Sequence, residues 1–142
     1  MSRLTPIEVG PRIACVVVAL TFTLVLAVSR FLTPDPRGFG THEQLGLLPC
    51  STMQFFGIPC PFCGMTTTFV LMARGNHLSA ITTQPVGALL FCLLFISIPT
   101  LVLIAVVGRT PVIRLKARYA WIGIASLLLA GWLYKIMIFL QK

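Results

Sequence analysis

Three long apolar segments constrain the fold of this chain more than any other feature. They occupy residues 13–32, 86–107 and 119–140, and each is uncharged through its middle. A helix needs about 20 apolar residues to cross a bilayer. The sequence therefore predicts an all-α integral membrane protein with three transmembrane helices, folded as a single membrane domain over residues 1–142.

The composition agrees with a membrane location. The chain is 57% hydrophobic and only 10% charged, whereas soluble domains carry about 25% charged residues. Its net charge of +8 is expected of a protein whose basic residues lie at membrane boundaries, close to phosphate head groups. Nucleic-acid binding requires a basic stripe on a soluble fold. We therefore expect a lipid bilayer as the partner and no nucleic acid.

The loop between the second and third segments predicts the orientation. Short loops that are rich in basic residues stay in the cytoplasm. This loop has no acidic residue and four basic ones, namely Arg109, Arg114, Lys116 and Arg118. The amino terminus, with Arg3, is then also cytoplasmic, and residues 33–85 face outward. Cleavage of a signal peptide after residue 29 is the alternative. We favour a retained helix because the apolar run is long for a signal core.

The outer loop contains three of the five cysteines, Cys50, Cys60 and Cys63. Outside the cytoplasm, neighbouring thiols tend to form disulfide bonds. An odd number leaves one thiol free, paired with another chain, or bound to something else. The other two, Cys15 and Cys92, lie in apolar segments, where cysteine acts as a small hydrophobic residue.

The stretch that follows Cys60 predicts a short amphipathic or re-entrant helix on the outer face. Pro61 suits the first helical position and Gly75 suits the end, so Cys60 is predicted to cap this helix. Amides at a helix amino terminus stabilise a thiolate, which would make Cys60 the attacking sulfur and Cys63 the resolving one. The apolar segment between Cys50 and Cys60 should fold back and bring Cys50 close to the pair.

Three functions are compatible with these cysteines. The favoured interpretation is a scaffold or accessory subunit in which they form a structural disulfide. The second is a membrane thiol–disulfide redox protein that uses Cys60 and Cys63, with a partner membrane protein completing the site. The third is a zinc site, in which His42 or His77 joins the three cysteines. Beyond zinc, the sequence indicates no cofactor.

Several polar residues near the motif have accessory roles in this interpretation. The hydroxyls of Thr66 and Thr67 are expected to bond to preceding helical carbonyls. Arg74 is expected to be an interfacial anchor, with an anionic ligand as the alternative. Lys135 is predicted to extend its ammonium into the head groups at the end of the third segment.

The motifs LPC, GIPCPFCGMTTTF, ARGN and QPVGALL resemble a bacterial membrane family, domain of unknown function 2752, over about residues 45–135. The matching positions are Cys50, Cys60, Pro61, Cys63, Gly64, Thr66, Gly75 and Pro85. Thr67 and Lys135 stand where many members have arginine. The resemblance implies a multi-pass protein of the bacterial inner membrane with an important cysteine site, and it implies no activity.

Overall fold

The computed structural model describes residues 4–6, 8–111 and 117–141. Three long helices dominate it: α1 (Val9–Phe31), α5 (Pro85–Val107) and α6 (Ala117–Leu140). Each contains a segment long and apolar enough to cross a membrane, and few residues of these segments are buried within the chain. The predicted class, an all-helical protein with three membrane spans, is confirmed. The chain is therefore a multi-pass membrane protein.

Two short strands pair at one end of the bundle. Strand β1 (Leu4–Pro6) pairs antiparallel with β2 (Arg109–Pro111). Next to it, the Arg12 guanidinium donates a 3.1 Å hydrogen bond to the Val106 carbonyl. The amino-terminal strand and the start of the basic loop therefore share one end of the bundle, as the orientation argument requires. Arg3, Arg114 and Lys116, which also entered that argument, lie outside the described residues.

The opposite end is built by residues 32–84, which form a 3₁₀ helix (Thr41–Leu45) and three short helices. The short helices are α2 (Ser51–Phe56), α3 (Met65–Ala73) and α4 (His77–Thr83). The Arg74 guanidinium donates hydrogen bonds of 2.7 and 3.1 Å to the Leu32 carbonyl. Arg74 thus ties the end of α3 to a carbonyl that the end of α1 leaves unpaired.

The helix after the cysteine motif begins later than predicted. Gly64, at φ +89°, is the N-cap of α3, and a left-handed residue cannot continue a right-handed helix. Cys60 and Cys63 lie before it, in a turn closed by a 2.9 Å hydrogen bond from the Cys63 amide to the Cys60 carbonyl. The prediction that Cys60 caps the helix, with Pro61 at its first position, is therefore wrong.

The buried core lies where α3 packs against the first turns of α5. Val70 is fully buried, and the Phe69 ring meets Phe91 edge to face, with 5.6 Å between ring centroids. Gly87 allows this approach, because a Cβ there would lie 3.0 Å from the Met65 sulfur. The core therefore fixes the short helix that follows the cysteine turn to a membrane-spanning helix.

Candidate functional site

Three cysteine sulfurs converge at the outer end of the bundle. The Sγ atoms of Cys50, Cys60 and Cys63 all lie within 4.8 Å of one another. Cys63 is buried, whereas Cys50 and Cys60 are half-buried. The prediction that Cys50 approaches the other two is confirmed. The predicted disulfide is not formed, since all five cysteines, which the structure describes, are free thiols.

Two local features bring Cys50 back to the turn. Cys50 is the N-cap of α2, a helix of six residues. The helix ends at Gly57, whose φ of +64° is a conformation that glycine adopts at little cost. The chain reverses direction there and continues through Pro59 to Cys60. The segment from Cys50 to Cys60 therefore folds back on itself and brings the two sulfurs close together.

Side chains from two membrane helices hold the carbonyls on both sides of Cys60. The Trp132 indole of α6 donates a 2.9 Å hydrogen bond to the Pro59 carbonyl. The Gln84 amide, at the start of α5, donates a 3.1 Å hydrogen bond to the Pro61 carbonyl. Gln84 is 1% exposed, and a buried amide N–H requires a partner within the protein. These two donors therefore position the cysteine turn.

Lys135 has a different role from the one predicted. The residue is 6% exposed, and its ammonium donates 3.2 Å hydrogen bonds to the carbonyls of Gly38 and Thr83. The same Gly38 carbonyl passes so close to Gly64 that a Cβ there would lie 2.6 Å from its oxygen. The prediction that Lys135 reaches into the head groups is therefore wrong: it joins α6 to the loop around the cysteines.

The threonines after the motif also differ from expectation. The Thr67 hydroxyl lies 2.8 Å from the Thr41 hydroxyl, which in turn accepts a 3.0 Å hydrogen bond from the Asp35 amide. Thr68 is buried, and its hydroxyl has no partner among the described residues. The prediction that Thr67 bonds to a preceding carbonyl is wrong. Thr67 instead connects α3 to the 3₁₀ helix, and Thr66 lines the cavity beside the cysteines.

A cavity of about 280 Å³ opens onto the three cysteines, and His42 lines it with them. The His42 Nε2 lies 3.2 Å from the Leu48 carbonyl. Because a carbonyl only accepts, Nε2 is the donor in this contact. In the neutral tautomer that carries its hydrogen on Nε2, the lone pair is on Nδ1. His77 is exposed at the start of α4 and lines another cavity. The structure therefore brings one of the two candidate histidines to the cysteines.

The three thiols have different acidities. Burial alone would raise the pKa of Cys50, but hydrogen bonds from the Thr52 hydroxyl and the Met53 amide outweigh it and lower this pKa to about 6. Burial, followed by the interaction with Cys50, raises the pKa of Cys60. Burial and the neighbouring sulfurs raise the pKa of Cys63 to about 12. Cys50 therefore has the lowest pKa of the three, which favours it over Cys60 as the attacking thiolate.

Sequence reasoning did not assign Trp132, Gln84 and Thr41 to the site. Two of them stood beside predicted residues: Gln84 precedes Pro85, and Trp132 precedes Lys135 by three positions. The available signal was the side-chain nitrogen of each, within α6 for Trp132 and directly before α5 for Gln84, because a buried donor requires a partner. Thr41 gave no such signal, since threonine is common in loops.

Comparison with known proteins gives a match to a family model that covers the cysteine motif. No curated protein and no solved structure matches the chain significantly. A family model, described as protein of unknown function (DUF2752), matches residues 50–98. This range runs from Cys50 through the cysteine turn and α3 into α5, and is shorter than the predicted 45–135. The resemblance is confirmed: this chain is a membrane protein with a cysteine cluster that matches the DUF2752 family model across that cluster.

Proposed function

We propose that this protein is a scaffold or accessory subunit of the bacterial inner membrane whose outer end is cross-linked by a thiophilic metal ion. Zinc is the first candidate, because it favours thiolate and imidazole ligands. The observation that carries the proposal is the convergence of three sulfurs, from Cys50, Cys60 and Cys63, within 4.8 Å of one another. The metal takes the place of the disulfide expected from the sequence.

The sulfur distances favour a metal over a disulfide. In a tetrahedral zinc site, Zn–S bonds of about 2.3 Å place the sulfurs about 3.8 Å apart. Three sulfurs within 4.8 Å of one another reach that arrangement through small side-chain rotations. A disulfide joins two sulfurs at about 2 Å and leaves the third thiol unused. A metal ion uses all three.

His42 supplies the fourth ligand in this proposal. It lines the cysteine cavity, and its contact with the Leu48 carbonyl is the kind of outer hydrogen bond that fixes the tautomer of a ligating histidine. The ring lies outside the tight sulfur group, so metal binding would draw Nδ1 inward. Three cysteines and one histidine form a closed set, which is typical of structural rather than catalytic zinc.

Thiol–disulfide exchange is the second candidate, favoured by the accessible, low-pKa Cys50 beside Cys60. In this reaction the Cys50 thiolate attacks a partner's disulfide and releases one partner thiolate. Cys60 then loses its proton and attacks the Cys50 sulfur, which releases the second partner thiolate. The protein gains a Cys50–Cys60 disulfide and the partner is reduced. This order replaces the predicted one, which depended on Cys60 capping a helix.

Metal analysis of the protein purified in detergent tests the first proposal. We expect about one zinc per chain, lost when Cys50, Cys60 or Cys63 is replaced by serine. Cys15→Ser and Cys92→Ser are matched controls that should retain it, because these cysteines lie in α1 and α5. His42→Ala should weaken zinc binding, whereas His77→Ala should not.

A non-reducing gel of membranes quenched with acid separates the alternatives. A Cys60→Ser variant that accumulates a mixed disulfide through Cys50, with no metal in the native protein, would favour exchange. A metal-free native protein with a stable Cys60–Cys63 bridge would contradict both candidates and support a disulfide scaffold.

A further inference from the structure

The apolar arm, which we define as residues 45–58, has an unusual composition for a loop. It contains no Asp, Glu, Lys, Arg or His, and the uncharged stretch around it runs from residue 44 to residue 73. Water-exposed loops are typically rich in polar and charged residues. The arm joins the 3₁₀ helix to the cysteine turn and contributes Cys50 to the cluster.

The arm exposes its largest apolar side chains. Leu48 is 87% exposed, Phe55 80% and Phe56 75%, and no part of the described chain covers them. Leu47 and Ile58 are also exposed. An apolar surface of this kind marks a contact with a protein or a membrane. Helix α2 has only six residues, so its few polar side chains cover little of this apolar surface.

The contacts of α6 indicate how far below the outer end of the membrane span the arm ends. Pro59, directly after the arm, accepts a hydrogen bond from Trp132. Trp132 lies inside the apolar span Trp121–Leu140, about 12 Å from its outer end at 1.5 Å per residue. Beyond it, Leu133, Met137 and Leu140 are all exposed, so this outer part of α6 also presents apolar side chains outward. The arm returns to the bundle beside this lipid-facing section.

The contacts of α5 place α3, the helix after the cysteine turn, at a similar distance below the outer end of the membrane spans. Phe69 of α3 packs on Phe91, which lies about 9 Å along the axis from the first residue of α5. Gly87, in the first turn of α5, faces Met65 and Thr68. The helix after the cysteine turn therefore packs beside the outer turns of a membrane span.

From the depth, the exposure and the lack of charge, we infer that the apolar arm is immersed in the outer leaflet and contacts phospholipid acyl chains. The arm continues the lipid-facing surface of α6, and the large apolar side chains that it exposes carry no charge that would lose its hydration among acyl chains. This inference does not depend on the proposed metal, since it rests on the exposed apolar side chains of the arm, which bind none, and not on Cys50.

Site-specific photo-crosslinking tests the inference. The photoreactive residue benzoylphenylalanine replaces Phe55 or Phe56 in protein reconstituted into nanodiscs of phosphatidylcholine and phosphatidylglycerol. Leu133, on the exposed face of α6, serves as the positive control, and Pro36, in the exposed turn that carries the Asp35–Arg37 ion pair, serves as the negative control. These positions are exposed, so the substitutions leave the core intact. Mass spectrometry measures the lipid adduct at each.

We expect lipid adducts at Phe55 and Phe56 in yields similar to that at Leu133 and several-fold above that at Pro36. Yields at Phe55 and Phe56 as low as at Pro36 would overturn the inference. The same variants are then irradiated in native membranes. Cross-linking at Phe56 to another polypeptide, in place of lipid, would also overturn it and would assign the arm to a protein partner.

Discussion

The Trp132 indole of α6 donates a 2.9 Å hydrogen bond to the carbonyl of Pro59, 73 positions earlier in the chain. Together with the Gln84 bond to the Pro61 carbonyl, it fixes the carbonyls of the two prolines on either side of Cys60. Prolines lack an amide hydrogen, so this part of the turn has few backbone donors of its own. The position of the Cys60 sulfur therefore depends on how α5 and α6 pack together.

Replacing Trp132 with phenylalanine should loosen the cysteine turn. The change leaves the Pro59 carbonyl without its donor, at a cost of about 1–2 kcal/mol in the free energy of unfolding. Thermal unfolding in detergent measures this loss. Trp121→Phe is the matched control, since Trp121 is 71% exposed and should change little. Equal behaviour of the two variants would contradict a positioning role for Trp132.

Alanine at Gly64 should be far more damaging than alanine at Gly57. Both glycines have positive φ, but a Cβ at Gly64 would lie 2.6 Å from the Gly38 carbonyl, whereas Gly57 faces open space. We expect a loss of about 1 kcal/mol for Gly57→Ala from the left-handed backbone alone. For Gly64→Ala we expect about 3 kcal/mol or more, because the clash adds to it. Chemical unfolding of the two variants compares these costs. Similar costs would show that the Gly38 contact is not restrictive.

Cys50 should react as a thiolate near neutral pH in reduced, chelator-treated protein. Its pKa is lowered to about 6, so its thiolate fraction, and its rate of alkylation by iodoacetamide, should rise as the pH increases through about 6 and then level off. The pKa of Cys63 is raised to about 12, so Cys63 should stay largely unmodified up to about pH 8. Peptide mass spectrometry measures each rate. Faster alkylation of Cys63 than of Cys50 would contradict this order.

The orientation can be tested at two exposed positions on opposite ends of the bundle. Ser79 lies in α4 at the cysteine end, and Glu8 precedes α1 at the end of the paired strands. A membrane-impermeant maleimide should label Ser79→Cys on intact spheroplasts, and Glu8→Cys only after lysis, with the native protein as background. The reverse pattern would place the cysteine cluster in the cytoplasm.

The local properties of the sequence determined the membrane architecture. Three apolar runs predicted α1, α5 and α6, because bilayer insertion depends on the composition of a segment and not on its neighbours. Pro85 is the first residue of α5, a position at which proline loses no hydrogen bond. The proximity of Cys50 to the Cys60–Cys63 turn was also predicted, from the short apolar segment between them.

Only the tertiary structure decided the chemistry of the cluster. Cys60 lost its predicted role because Gly64, four residues later, is the N-cap of α3, and a backbone angle at a single glycine is not visible in a motif. Contacts with Thr52 and Met53 lower the pKa of Cys50, so that Cys50 and not Cys60 is the most acidic thiol. Lys135 turned inward because two carbonyls, of Gly38 and Thr83, lie within reach only in the folded chain. Burial and hydrogen bonding between residues far apart in sequence set these properties, and such contacts exist only after the helices have packed.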